Sequence, residues 1–243
     1  MLSAVLALAF VQAAPDASDQ CKLDDEQRQL ASTTESKQNL AYFRASIWPC
    51  EDDRLFYGNW FGKHLRAMGE PSFAAPEASK GYSKRFRLLV PPSFRPAYSI
   101  RVDYPPAGQA RVTVVTETGS GGYGPGEKVP LWSNTLNEKG GERLADDVEE
   151  VRVLDRAVDA ERETTDGHIM VCADGTHYVF EALDAGGTQR LISRHQCDLD
   201  GDRPMIELFH QMHRLGRLTV PYELFGGSGD RGREKADPGS SPG

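Results

Sequence analysis

The chain has 243 residues, a formal net charge of -8 and 39% hydrophobic residues. That length suits one large domain or two small ones with a core, and the acidic balance excludes general affinity for nucleic acid or anionic lipid. Past the first residues no apolar run reaches the ~20 residues that a membrane-spanning helix needs.

The chain opens with MLSAVLALAFVQAAPDA, an apolar run bounded by small residues. It reads as a secretory signal peptide over 1–13, cleaved after Val11-Gln12-Ala13. A secreted or periplasmic location follows, with no membrane span after cleavage. Residues 14–34 are polar and read as a loose segment. A single α+β domain is expected over 35–225.

Within it, CEDDRLFYGNWFGKHLRAMGEP predicts a long helix. Acidic residues at its start favour the helix dipole, Leu55, Phe56, Trp60, Leu65 and Met68 recur at near-helical spacing, and Gly69 with Pro71 ends it. A shorter helix is expected before it, over 34–47. RFRLLV, YSIRVD and ARVTVVTET read as strands, rich in β-branched and aromatic residues and separated by Pro and Gly. A helix is expected over 134–149, with Leu136, Leu144 and Val148 inward. HIMVC, THYVFEAL and TQRLISRH are separated by Asp174-Gly175 and Gly186-Gly187, dipeptides suited to two-residue hairpin turns. They predict a C-terminal three-stranded antiparallel meander. A last helix runs from about Asp202 to Leu215, with Met205, Leu208, Phe209, Met212 and Leu215 on one face. Residues 226–243 lack large apolar side chains and read as a disordered tail. The elements come in blocks, which favours an α+β fold: an antiparallel sheet packed against a long N-terminal helix and a C-terminal helix.

Two motifs carry less than they first suggest. In CDLDGDRPMIE, Asp198, Asp200 and Asp202 alternate as the first ligands of a calcium loop do. Aligned so, the turn glycine is replaced by Arg203 and the final glutamate by Phe209. A turn at Asp200-Gly201, a helix cap at Asp202 and Pro204 in the first helical turn account for the stretch without an ion. The literal GxGxxG at Gly119, Gly121 and Gly124 follows a strand, but Pro125-Gly126 comes next and no helix follows to hold a pyrophosphate. It reads as a hairpin loop. The histidines, His64, His168, His177, His195, His210 and His213, show no metal-ligand spacing, and no cofactor or metal is implied.

Cys21, Cys50, Cys172 and Cys197 allow three pairings, and export favours oxidation. Local bridges, Cys21 with Cys50 and Cys172 with Cys197, are preferred. Cys172 and Cys197 would sit on the outer strands of a regular meander, so Cys197 has to leave its strand to reach its partner.

The most suggestive polar residues are carboxylates and arginines. A two-residue turn centred on Gly186-Gly187 puts Glu181 opposite Ile192, with Arg190 and Arg194 as diagonal neighbours. Glu70, at the end of the long helix, and Arg101 join this cluster if the helix packs on the sheet. No residue is assigned a catalytic role. The cluster is either a ligand site or a structural ion network.

Taken together, GNWFGKHLRAMGEPSF, FRLLVPPSFRPAYSIRV, the GGYGPG loop and DGTHYVFEAL followed by RHQC resemble a group of exported bacterial proteins of unknown function, over roughly residues 50 to 215. That resemblance singles out Glu70, Arg87 or Arg101, and Glu181, and it implies export without implying an activity. The leading expectation is a non-enzymatic cell-envelope protein that binds a ligand or an envelope protein. The alternative is an extracellular hydrolase with Glu70 and Glu181 as acid and base, which requires both in an open cleft.

Overall fold

The computed structural model describes residues 24–119, 124–151, 175–199, 202–219 and 221. Its centre is one six-stranded antiparallel sheet in the order β4-β3-β2-β1-β5-β6. The strands are β1 (Lys84–Val90), β2 (Tyr98–Tyr104), β3 (Arg111–Glu117), β4 (Lys128–Thr135), β5 (His177–Asp184) and β6 (Gln189–His195). The first four follow one another as neighbours. The chain then crosses through a helix and returns to place β5 on the free side of β1. Helices and strands therefore form the expected α+β combination.

Period-two alternation sorts the side chains of the sheet into two faces. On one, Phe86, Leu88, Ile100, Val102, Val112, Val114, Tyr178, Phe180 and Ile192 form the main core. Helices α5 (Glu138–Glu150) and α6 (Arg203–Leu215) cover it with Leu144, Val148, Met205, Leu208, Phe209 and Met212. His213 of α6 is buried but satisfied: Nδ1 donates to the Phe209 carbonyl (2.7 Å), which leaves Nε2 to accept from the Tyr98 hydroxyl (2.8 Å). The other face carries Leu89, Val115, Val179 and Leu191 beside a row of charged residues. It lies under an N-terminal helical layer that contributes Phe43, Trp48, Phe61, Leu65 and Met68.

That layer differs from the expected loose segment and single long helix. Residues 25–32 form α1 (Asp25–Ser32), closed by a capping box: Asp24 Oδ1 accepts from the Gln27 backbone N–H (2.7 Å), and Gln27 Oε1 accepts from that of Asp24 (2.9 Å). No residue of α1 is buried, so it shows none of the apolar periodicity that marks a helix in sequence. Helix α2 (Thr34–Leu40) starts on a Thr33 cap. The helical run after Cys50 is divided into α3 (Glu51–Asp53), a π-helical turn (Arg54–Gly58) and α4 (Asn59–Ala67). The π turn shifts the face that the chain presents, leaving Phe56 exposed while Leu55 and Phe61 are buried.

Three further expectations change. Strand β5 is flanked by β1 and β6, so both of its edges are paired. The C-terminal meander is thus replaced by a β5–β6 hairpin added to β1, and 168–172 lie outside the described residues. Strand β4 had no counterpart in the sequence reading. It is a largely exposed edge strand carrying Pro130, a residue tolerated at sheet edges. Asp202 stands at the start of α6 without capping it, because its carboxylate accepts from Arg194 Nε instead (3.3 Å). Asp200 and Gly201 lie outside the described residues. The Gly-rich stretch joins β3 to β4 and no helix follows it.

Cys50 carries a free thiol, so the expected bridge to Cys21 is not formed. Cys197 follows the end of β6 in a 3-10 turn (Gln196–Asp198) and is disulfide-bonded. Cys21 and Cys172 lie outside the described residues.

Helices α2 and α4 touch at the backbone, since a Cβ on Gly62 would come within 2.1 Å of the Asn39 carbonyl oxygen. Gly62→Ala is expected to push them apart and cost at least roughly 1–3 kcal/mol, the usual scale of overpacking. Urea unfolding of the variant checks this, and an unchanged midpoint would contradict the close approach.

Candidate functional site

The alternation in RFRLLV and YSIRVDY puts Arg85, Arg87, Arg101 and Asp103 on the sheet face opposite the main core. Arg87 pairs in register with Arg101 on one side and with Glu181 on the other. Glu181 Oε2 accepts from Arg87 Nε at 2.6 Å and lies 2.5 Å from Nη2, while Oε1 accepts from Gln189 Nε2 at 3.0 Å. Glu70 Oε2 accepts from Arg101 Nη1 at 2.5 Å and stands 3.7 Å from Arg87. Asp103 bridges two arginines, accepting from Arg85 at 2.7 Å and from Arg101 at 2.9 Å. Three guanidinium groups and three carboxylates thus form a ladder across β2, β1 and β5, with formal charges that cancel.

The residues following α4 close over this ladder. Pro71 offers its carbonyl to Arg87 (2.7 Å), and Ala78 offers its carbonyl to Arg85 (3.0 Å). The buried Phe73 ring lies 4.3 Å from the Arg87 guanidinium carbon and 4.9 Å from that of Arg85. Gln189 extends the network to the end of α2, donating to the Tyr42 carbonyl (3.1 Å) and accepting from the Arg44 N–H (3.0 Å). Arg87 and Glu181 are fully buried and Glu70 is 3% exposed. Burial pushes the Glu181 carboxyl up, against the opposing pull of Arg87 and Gln189. At Arg101 burial alone would lower the guanidinium, and Glu70 and Asp103 outweigh it.

Of the residues singled out from sequence, Glu70, Arg101 and Glu181 come together here. Arg190 and Arg194 do not. The β5–β6 connection is a three-residue loop, with Leu183 opposite Gln189, and Glu181 therefore faces Leu191 rather than Ile192. Gly187 takes the left-handed conformation (φ 82°), and Asp184 Oδ1 accepts from the Thr188 N–H. This one-residue shift sends Arg190 and Arg194 to the opposite face of the sheet. Arg190 is exposed and Arg194 pairs with Asp202. Sequence reasoning missed Arg85, Asp103 and Gln189, although the R-x-R and R-x-D alternation of β1 and β2 was there to be read.

A second constellation lies between the helical layer and the outer end of the β5–β6 hairpin. There a cavity of about 800 Å³ is lined by Ser36, Asn39, Phe56, Tyr57, Asn59, Trp60, Lys63, His177 and His195, among others. Its volume falls in the range of roughly 300–1,000 Å³ typical of small-ligand sites. His177 and His195 are cross-strand partners with ring centroids 4.6 Å apart, and Trp60 packs on His177 at 4.8 Å. Burial, reinforced by His195, lowers the His177 pKa to about 3, so the ring is neutral at pH 7. Ser36 Oγ, Asn39 Oδ1, Trp60 Nε1 and His177 Nδ1 are all buried without a hydrogen-bond partner. Phe56 and Leu30, which also line the cavity, are 65% and 50% exposed.

Comparison with known family models, curated proteins and solved structures found no match.

Glu181→Ala leaves the Arg87 charge buried without its main partner, and a loss of about 3–5 kcal/mol is expected. In denaturant melts it should couple non-additively with Arg87→Ala and add simply to Arg194→Ala. Additivity with Arg87→Ala would contradict the pairing.

His177 gives a separate expectation. Its folded pKa, about 3, lies below the ordinary 6.5, so between those values the unfolded chain binds the extra proton. Its contribution is present above about pH 6.5 and is lost as the pH falls towards about 3, at roughly 1.4 kcal/mol per unit crossed. Wild-type stability should fall more steeply over that window than that of His177→Gln. Parallel slopes would contradict the assignment.

Proposed function

We propose that the protein is exported to the cell envelope and acts there without catalysis, holding a small ligand in the cavity between the helical layer and the β5–β6 hairpin. The observation that carries this reading is a cavity of about 800 Å³ between the helical layer and the hairpin, of ligand size and lined by polar, aromatic and histidine side chains. The signal-like N-terminus and the resemblance to exported proteins support the location.

The hydrolase alternative is weaker. A glycosidase pair must flank an open cleft, with one carboxyl free to give a proton and the other free to attack or activate water. Glu70 and Glu181 instead share the Arg87 guanidinium and lie under Pro71 and Phe73. In this reading the ladder is structural, and ligand recognition belongs to the cavity.

Two measurements test the proposal. A fragment screen followed by amide chemical shifts should place its hits around Asn39, Trp60 and His177. Hits grouped elsewhere, or none, would remove the ligand reading. For location, thiol trapping of protein recovered from the exported fraction should label Cys50 directly and Cys197 only after reduction. Labelling of Cys197 without reduction, or absence of the chain from that fraction, would contradict export with oxidation.

A further inference from the structure

The helical run after Cys50 presents an ordered stripe to the cavity. Phe56, Trp60 and Lys63 follow one another at spacings of four and three residues, and all three line the wall. The Phe56 and Trp60 rings stand 6.4 Å apart between centroids, and Leu30 and Leu55 extend the apolar surface around them. Lys63 is the only lysine or arginine among the described residues of the wall, and the lining His177 is neutral at pH 7. An aromatic strip thus leads to a single cation.

The surroundings of Lys63 define the charge that suits it. Burial pushes its ammonium pKa down, against the opposing pull of Glu117 and Glu35. Those carboxylates do not make up for the water that the ammonium has lost. Each also serves another group: Glu35 accepts from Arg66 at 2.9 Å, and Glu117 meets His64 Nδ1 at 2.8 Å. An anion brought to Lys63 from the cavity favours the charged ammonium and is favoured by it. With two carboxylates already near, one negative charge fits there better than two. Asp52, which completes the charged residues of the described wall, accepts from Gln27 at 2.6 Å. It lies about three helical turns before Lys63, roughly 16 Å along the run, and so marks the opposite end of the stripe.

The geometry points to a monocarboxylate with an apolar body as the ligand: its head meets Lys63 and its body lies along Trp60 and Phe56. This inference rests on the cavity being the ligand site and adds the chemical class of its occupant.

Phenylacetate, phenylethanol and phenylethylamine share one body and differ in charge, and titrating each into the full chain with amide chemical shifts as the readout separates the two contributions. The acid should bind about tenfold more tightly than the alcohol, the scale of one charge-assisted hydrogen bond at a partly exposed group, with its shifts at Trp60 and Lys63. Lys63→Gln should remove that advantage while the alcohol binds as before, which also shows that the variant is folded. Lys63→Arg, which keeps the charge, should keep the preference. Phe56→Ala should weaken acid and alcohol alike, and its side chain is exposed, so the fold is kept. An acid that retains its advantage in Lys63→Gln, or loses it in Lys63→Arg, would overturn the inference. So would equal binding of the three probes or a preference for the amine, although the cavity would then remain a ligand site. If neither probes nor fragments bind there, both readings fall.

Discussion

The contact between Arg87 and Glu181 is the constraint on which the arrangement of layers depends. Both side chains are fully buried, and a lone charge in that position would be prohibitive without an opposite charge and hydrogen bonds around it. The pair joins strands that are 94 residues apart in the chain. It can form only if β5 lies beside β1 in one register. A slip of one residue would turn Glu181 into the apolar core and expose Arg87 to the wrong neighbours. The ladder thus contributes specificity of register at least as much as net stability, since well-packed apolar residues could supply comparable stability.

The same contacts orient the helical layer. Glu70, Pro71, Phe73 and Ala78 all engage the ladder, and Gln189 reaches the end of α2 through Tyr42 and Arg44. Helices α2 and α4 are in turn fixed to each other by the close approach at Gly62. These helices carry Ser36, Asn39 and Trp60, while β5 carries His177. The walls of the cavity are therefore set by a charge network on the same sheet face. Beneath α4 a second buried pair, His64 Nδ1 to Glu117 Oε1 at 2.8 Å, ties the helix to the end of β3.

Periodicity made β1, β2, β3, α5 and α6 legible, because each has one face against the main core. Where one-sided burial was missing, the signal was missing too. Strand β4 is exposed along most of its length, and α1 buries nothing, its start being marked only by Asp24 and Gln27. The β5–β6 hairpin shows a different limit. Asp184-Ala185-Gly186-Gly187 is compatible with two loop lengths, and in the three-residue form that the chain adopts the Thr188 N–H donates to Asp184 Oδ1. The loop length decides whether Arg190 and Arg194 share the face of Glu181, and the observed register turns them away from it. The carboxylates at 70 and 181 were identifiable from their positions, but their partner was set by a long-range pairing of strands. The cavity was invisible for the same reason: α2, α4 and β5 each contribute groups that look ordinary alone.

Side-chain NMR of the arginines tests the central claim most directly. In a locked ladder, the Nε–H protons of Arg85, Arg87 and Arg101 should appear as separate, slowly exchanging resonances at neutral pH, and replacing Glu181 with Gln should shift that of Arg87 most. Rapid exchange of all three, with one averaged guanidinium signal insensitive to Glu181, would show that no buried ladder holds the layers together.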